Sequence, residues 1–159
     1  MKAEKQGPQP VAGHGPLSHA IFRVARLHKM LAGQLLRETG LYPGQELLMM
    51  RLWDEGPQRQ IDLVRSLDSD APTIARTVRR LEQAGYVRRR PSPTDGRVSI
   101  IEATPAGAPL KRTVERIWAE LESLTTGTMD EDEQAAALSH LEAIEANLLN
   151  AETKVMKAD

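Results

Sequence analysis

The chain has 159 residues, no cysteine, and 21 basic against 22 acidic side chains, for a net charge of −1. That length suits one domain with a real core. The absence of thiols excludes disulfides, thiolate metal sites and thiol-based peroxide sensing. No apolar run reaches the ~18 residues of a membrane span, so a cytoplasmic protein with no membrane partner is expected.

Charge is unevenly spread. Residues 59–97 hold nine Arg against five acids, whereas residues 98–159 hold five basic side chains against twelve acids. A basic middle followed by an acidic tail suits a protein that turns one surface toward phosphate and another away from it.

Residues 1–16 are rich in Pro and Gly and read as a flexible N-terminal arm. From Leu17 to about Glu38, Ile21, Val24, Leu31 and Leu35 recur at helical spacing. His19 and His28 belong to this helix. No Cys or acid at ligand spacing accompanies them, so no metal is expected. Pro43 is expected in the first turn of a second helix, with Leu47, Leu48, Met50, Leu52 and Trp53 apolar and Gly56-Pro57 as its stop. Met49, Met50 and Trp53 could line a cavity or form a core stripe. Gln58 to Gln60 is too short to assign. Gln60 to Leu67 reads as a short helix with Ile61, Val64 and Leu67 inward, and Arg59 and Arg65 are candidate phosphate contacts.

Asp68 and Ser69 make a turn into a third helix. Asp70 is its N-cap, Pro72 sits in its first turn and Gly85 stands as a C′ residue. At ~100° per residue, Ile74, Val78 and Leu81 share one side. Thr73, Arg76, Thr77 and Arg80 share an adjoining side, with Arg79 flanking. Thr is small enough to let a backbone approach a major groove, and Arg can fork onto guanine or phosphate. Alone, this face is an ordinary solvated arginine face. The hairpin on its C-terminal side changes that reading. Tyr86 to Arg90 is a strand candidate, Pro91 to Gly96 is a turn, and Val98 to Ile101 resumes as strand. Arg97 stands at the end of this hairpin loop, suitably placed to enter a minor groove. Asp95 either holds Arg97 or a nearby Arg in one rotamer by a charge-assisted hydrogen bond or is a plain turn residue. Arg88, Arg89 and Arg90 alternate sides, so at most two of them, Arg88 and Arg90, face DNA together.

Thr104-Pro105 is expected to start a long helix with an apolar stripe of Leu110, Val114, Ile117, Leu121 and Leu124, and Trp118 beside it. Residues 125–128 break it. Thr128 with Glu131 reads as the capping box of a last helix, striped by Leu138, Leu141, Ile144, Leu148 and Leu149. Apolar stripes at both chain ends need covering. A symmetric homodimer would supply that, and so would a monomer that folds the helices on one another.

The ordered set LYPGQELLMMRL, IDLVRSL, APTIARTVRRLEQAGYV, a wing with Asp-Gly-Arg, and Thr-Pro-x-Gly before a long helix resembles the MarR family of bacterial transcription regulators, over about Leu41 to Leu121. The resemblance implies a mainly α fold with a small β-hairpin wing. A winged helix-turn-helix lobe, 41–103, would sit on a helical dimerisation base, 17–40 with 104–156. It implies a repressor that binds double-stranded DNA as a homodimer on a pseudo-palindromic operator. DNA contacts would then come from Ser69, Pro72, Thr73, Arg76, Thr77, Arg80, Arg88, Arg90, Asp95 and Arg97. It also implies a small, often aromatic, anionic effector in a pocket between the first helix and the reading lobe. His28, Met49 and Trp53 are the candidate contacts there. Asp62, Leu63 and Arg65 depart from the small residues usual in that short helix. No phosphate-cradling Gly loop, Ser-centred elbow or metal cluster is present, so neither catalysis nor a cofactor is expected. The alternative is a winged-helix protein-interaction module without DNA binding.

Overall fold

A computed structural model of the chain describes residues 11–156. The expected arm lies largely outside the described residues. Its end, Val11–His14, is a short 3-10 turn leading into helix α1, Pro16–Leu36. The chain then runs through α2 (Gln45–Glu55), β1 (Gln58–Arg59), α3 (Gln60–Ser66), α4 (Ala71–Gln83), β2 (Val87–Pro91), β3 (Ser99–Ala103), α5 (Ala108–Thr126) and α6 (Glu131–Met156). It divides into two compact units, one ending at Leu121 and one starting at Glu122.

The first unit is built on a core from five elements. Leu48, Met49 and Leu52 of α2 meet Leu63 of α3, Ile74, Val78 and Leu81 of α4, Val87 and Ile101 of the sheet, and Leu110 and Val114 of α5. Each fully buried apolar side chain contributes about 1.5–3 kcal/mol, whereas an exposed ion pair contributes about 0–1 kcal/mol. The apolar cluster, not pairs such as Arg51–Glu55 or Lys111–Glu115, therefore holds this unit together. The sheet is antiparallel in the order β1-β3-β2. Arg88 lies opposite Glu102 and Arg89 opposite Ile101. Because strand side chains alternate, Val87 and Ile101 point into the core while Arg88 and Arg90 point out.

Several expectations need correction. The second helix begins at Gln45, not around Pro43. Gly44 takes φ +102 at its N-cap, a left-handed conformation that suits glycine, and the helix starts only beyond it. Gln58–Arg59, left unassigned, pairs with Ile100–Ile101 as an edge strand. Thr104 does not cap α5. Its hydroxyl donates to the Gly85 carbonyl at 2.5 Å, and a 3-10 turn at Pro105–Gly107 precedes the helix.

In the second unit α5 ends at Thr126, and Gly127 follows it at φ +57. The capping box of α6 is Asp130 with Glu133, not Thr128 with Glu131. Glu133 N–H donates to Asp130 Oδ1, and Asp130 N–H donates to Glu133 Oε2, both at 2.9 Å. None of the described side chains of α6 is buried. Leu138, Leu141, Leu148 and Leu149 are all more than half exposed.

Candidate nucleic-acid interface

Helix α4 is fixed at both ends. Asp70 Oδ1 accepts from Thr73 N–H at 2.8 Å, as an N-cap does, and Asp70 Oδ2 accepts from the Thr73 hydroxyl at 2.8 Å. These hydrogen bonds, above all that from the Thr73 backbone, hold the Asp70 carboxyl below its usual range. At the other end Gly85 takes φ +81. Gly85 N–H donates to Glu82 O at 3.0 Å and Tyr86 N–H to Leu81 O at 2.9 Å, a Schellman closure. The chain thereby turns straight into β2, which sets the wing beside the helix.

With Ile74, Val78 and Leu81 in the core, the opposite side of α4 faces out. Pro72, Arg76, Arg79 and Arg80 are exposed, and Ser69, Thr73 and Thr77 are half-buried. Arg76 Nη2 donates to Thr73 Oγ1 at 3.3 Å. Ser69, Thr73, Arg76, Thr77 and Arg80 border a shallow groove of about 320 Å³. Its far wall is Tyr42, Pro43, Gly44 and Gln45, from the loop before α2. The Arg80 guanidinium lies 5.6 Å from the centre of the Tyr42 ring. Tyr42 was missed in the sequence. Nothing local marks it, because its role depends on an element some 35 residues downstream.

In the wing, Ser92 N–H donates to Val98 O at 2.8 Å and closes the loop. Asp95 acts as a turn residue: its Oδ1 accepts from Arg97 N–H at 3.0 Å. The Arg97 side chain makes only a loose ion pair with it, Nε lying 3.7 Å away, too far for a hydrogen bond. The Arg97 side chain is 96% exposed. Arg88 and Arg90 both pair through Nε with Glu102, the latter at 3.4 Å. The hydrogen bond from Arg88, with Arg90 adding to it, holds the Glu102 carboxyl below its usual range. Glu102 was also missed, although the cross-strand register makes the pairing inevitable. Arg89 turns the other way, 3.8 Å from Glu82. Arg59 is tied to Asp62, at 2.6 Å from Nε and 2.9 Å from Nη2.

The candidate effector residues separate. A cavity of about 290 Å³ is lined by His28, Lys29, Ala32, Pro43, Gly44, Glu46, Leu47, Trp118 and Leu121. His28 belongs to it. Met49 and Trp53 do not: Met49 is fully buried, and both pack against Gly107 instead. Glu46 was not anticipated. It is only 3% exposed, its Oε2 accepts from Gly44 N–H at 2.8 Å, and burial pushes its carboxyl above the usual range despite that bond. Among the described residues no three His, Cys, Asp or Glu side chains cluster to hold a metal. No helix there is long and apolar enough to cross a membrane.

The model of the MarR family matches residues 41–99, the stretch from the loop before α2 to the start of β3. The uncharacterized HTH-type transcriptional regulator YwoH of Bacillus subtilis (strain 168) is 33% identical over 129 residues, covering 79% of this chain and 90% of YwoH. Among solved structures, a mutant MarR from E. coli complexed with operator DNA superposes with a TM-score of 0.78. It is 21% identical, over 86% of this chain and 99% of that one. BpsR of Bordetella bronchiseptica, whose DNA binding is regulated by 6-hydroxynicotinic acid, has the same TM-score, at 21% identity over 87% of this chain and 98% of that one. With a winged helix-turn-helix core, a matching family model and a relative of this identity and coverage, the chain belongs to the MarR family of transcriptional regulators.

Proposed function

We propose that the protein binds double-stranded DNA sequence-specifically as a homodimer on a pseudo-palindromic operator, and that a small molecule releases it. One observation carries this reading. Helix α4, whose apolar side packs into the core, presents Thr73, Arg76, Thr77 and Arg80 to one open groove, beside a wing whose tip carries the exposed Arg97. Thr and Arg in the major groove, with Arg in the adjoining minor groove, make up a base-reading and phosphate-gripping set. The likeness in fold to a structure holding operator DNA supports it.

Residues 41–103 form the reading lobe, and residues 17–40 with 104–156 the dimerisation base. The exposed Phe22, Val24 and Leu27 of α1 and the leucines of α6 support a partner copy. The DNA set is Ser69, Pro72, Thr73, Arg76, Thr77, Arg80, Asp95 and Arg97. Arg88 and Arg90 act as phosphate contacts, weakened by Glu102. The likeness to the HTH-type transcriptional repressor NicR of Pseudomonas putida, 27% identical over 122 residues and 77% of this chain, supports repression as its mode of action. The effector site is the cavity with His28 at its rim, and the ligand-controlled DNA binding of BpsR supports such control.

The test is selection of duplexes from random DNA by the purified protein. The expected product is an inverted repeat with half-sites about one helical turn, ~34 Å, apart. Its affinity should fall steeply with salt as counterions are released. A selection that enriches nothing, with no salt-dependent complex on any duplex, would leave an interaction module as the function.

A further inference from the structure

The loop before α2 forms the far wall of the groove along α4, and it carries an aromatic side chain, Tyr42, whose ring meets an arginine of that helix. Tyr42 is 65% exposed, so its ring is not held there by the core. The loop itself is tightly fixed. Tyr42 N–H donates to Gln45 Oε1 at 3.1 Å, and Gln45 N–H donates to Tyr42 O at 3.0 Å. Gln45 is buried, with 7% exposure. Next in the chain, Pro43 packs against Gly33 of α1 so closely that a Cβ on Gly33 would stand 3.2 Å from Pro43 Cγ. Gly44 follows at φ +102. Tyr42 is therefore an exposed ring on a rigid mount.

We infer that Tyr42 is a positioning residue for DNA recognition: its ring face holds the Arg80 guanidinium, 5.6 Å away, in the orientation that meets the duplex. The inference rests on the DNA-binding role proposed above. Its physical basis is the shape of the guanidinium. All five N–H donors lie in the plane of the group, while an aromatic ring attracts it through a face. Tyr42 can thus restrain a flexible, exposed arginine without consuming a donor. The contrast lies in the same molecule. Glu102 restrains Arg88 and Arg90 by taking Nε donors from both and neutralising part of their charge. Arg80 keeps its full charge and its donors.

The test uses the full chain and a duplex carrying the selected operator, with binding followed by fluorescence anisotropy. The variants are Tyr42→Phe, Tyr42→Ala, Tyr42→Leu, Arg80→Ala and the double Tyr42→Ala/Arg80→Ala. A face-on contact at an exposed site predicts a loss of about two- to fivefold for Tyr42→Ala and for Tyr42→Leu, which keeps bulk but no ring. Tyr42→Phe, which keeps the ring, should bind as the wild type does. The double variant should bind no worse than Arg80→Ala alone, because the ring acts only through that arginine. Additive losses, a Phe variant as weak as the Ala variant, or full binding by Tyr42→Ala would each overturn the inference. A wild-type chain that binds no duplex at all would instead overturn the DNA-binding reading itself, which separates the two failures.

Discussion

Glu46 is a carboxylic acid where charge is disfavoured. Burial beside Ala32, Leu47 and Trp118 pushes its carboxyl above the ordinary 4.5, and the hydrogen bonds it accepts from backbone N–H groups oppose the shift without cancelling it. The folded state therefore holds this proton more tightly than the unfolded chain does. Below the unfolded value both states are neutral at this position, and Glu46 costs nothing. As pH rises past 4.5 toward the folded value, ionisation costs the folded state progressively more, so this group's contribution to stability falls with rising pH. Asp62, Asp70 and Glu102, whose carboxyls are lowered, act in the opposite sense, gaining stability above their unfolded values and losing it as pH falls. The difference between wild type and Glu46→Gln isolates the Glu46 effect, since Gln keeps an acceptor for Gly44 N–H. Melting curves should show the variant gaining on the wild type from about pH 4 to pH 7. A variant that loses stability by the same amount at both ends would refute this. Arg97 makes the complementary case. Its side chain is almost wholly in solvent, so Arg97→Ala should leave the melting temperature alone. If it enters the minor groove, operator affinity should fall by about 1–3 kcal/mol. Anisotropy titration reads the loss, and unchanged binding would remove the wing tip from the interface.

At the scale of the element, α4 depends on its first turn. Asp70 accepts two hydrogen bonds from Thr73, and Thr73 in turn accepts one from Arg76. Asp70→Ala should lower the melting temperature, and Asp70→Asn, which can still accept from Thr73 N–H, should recover most of it. Equal losses for both would mean that the carboxylate charge, not the cap, stabilises the helix. This helix was legible in the sequence because every signal in it is local: Asp70, Pro72, the spacing of Ile74, Val78 and Leu81, and Gly85. The parts that were not legible are non-local. The two residues of β1 become a strand only because β3 offers Ile100 and Ile101. Thr104 is drawn from its expected cap by a carbonyl 19 residues earlier. The expected box of Thr128 with Glu131 is displaced by two residues: α6 starts at Glu131, and Asp130 with Glu133 exchange the capping hydrogen bonds. For Met49 and Trp53 the core stripe is the preferred reading of the sequence over a cavity wall, and the structure packs both at the core beside Gly107. Of the candidate interface, the α4 face and the wing arginine were readable. Tyr42 and Glu102 were not, since each acts on an arginine brought to it by the fold.

The whole molecule raises the question of what covers its apolar surface. Phe22 is 79% exposed on α1, and Leu141 and Leu148 are 59% and 61% exposed on α6. Large apolar side chains repeated along helices mark an interaction surface, and two-fold pairing of identical chains is the commonest way to cover one. Under the proposed function, dimerisation would also set affinity. One reading lobe would grip one half-site, and joining two lobes would make the second contact intramolecular and multiply affinity by about 10²–10⁴ with no new contact to DNA. Leu141 and Leu148 are seven residues apart, hence on one face of α6, and neither contributes to a buried core within the single chain. Leu141→Glu together with Leu148→Glu should therefore leave the reading lobe folded, as judged by its melting transition, while sedimentation gives the mass of one chain. Binding to the full operator should drop by that same factor, to the level of a lone half-site, whereas binding of wild type and variant to an isolated half-site should agree. A variant that sediments as a single chain yet keeps full operator affinity would show that pairing through α6 does not set the spacing of the reading helices.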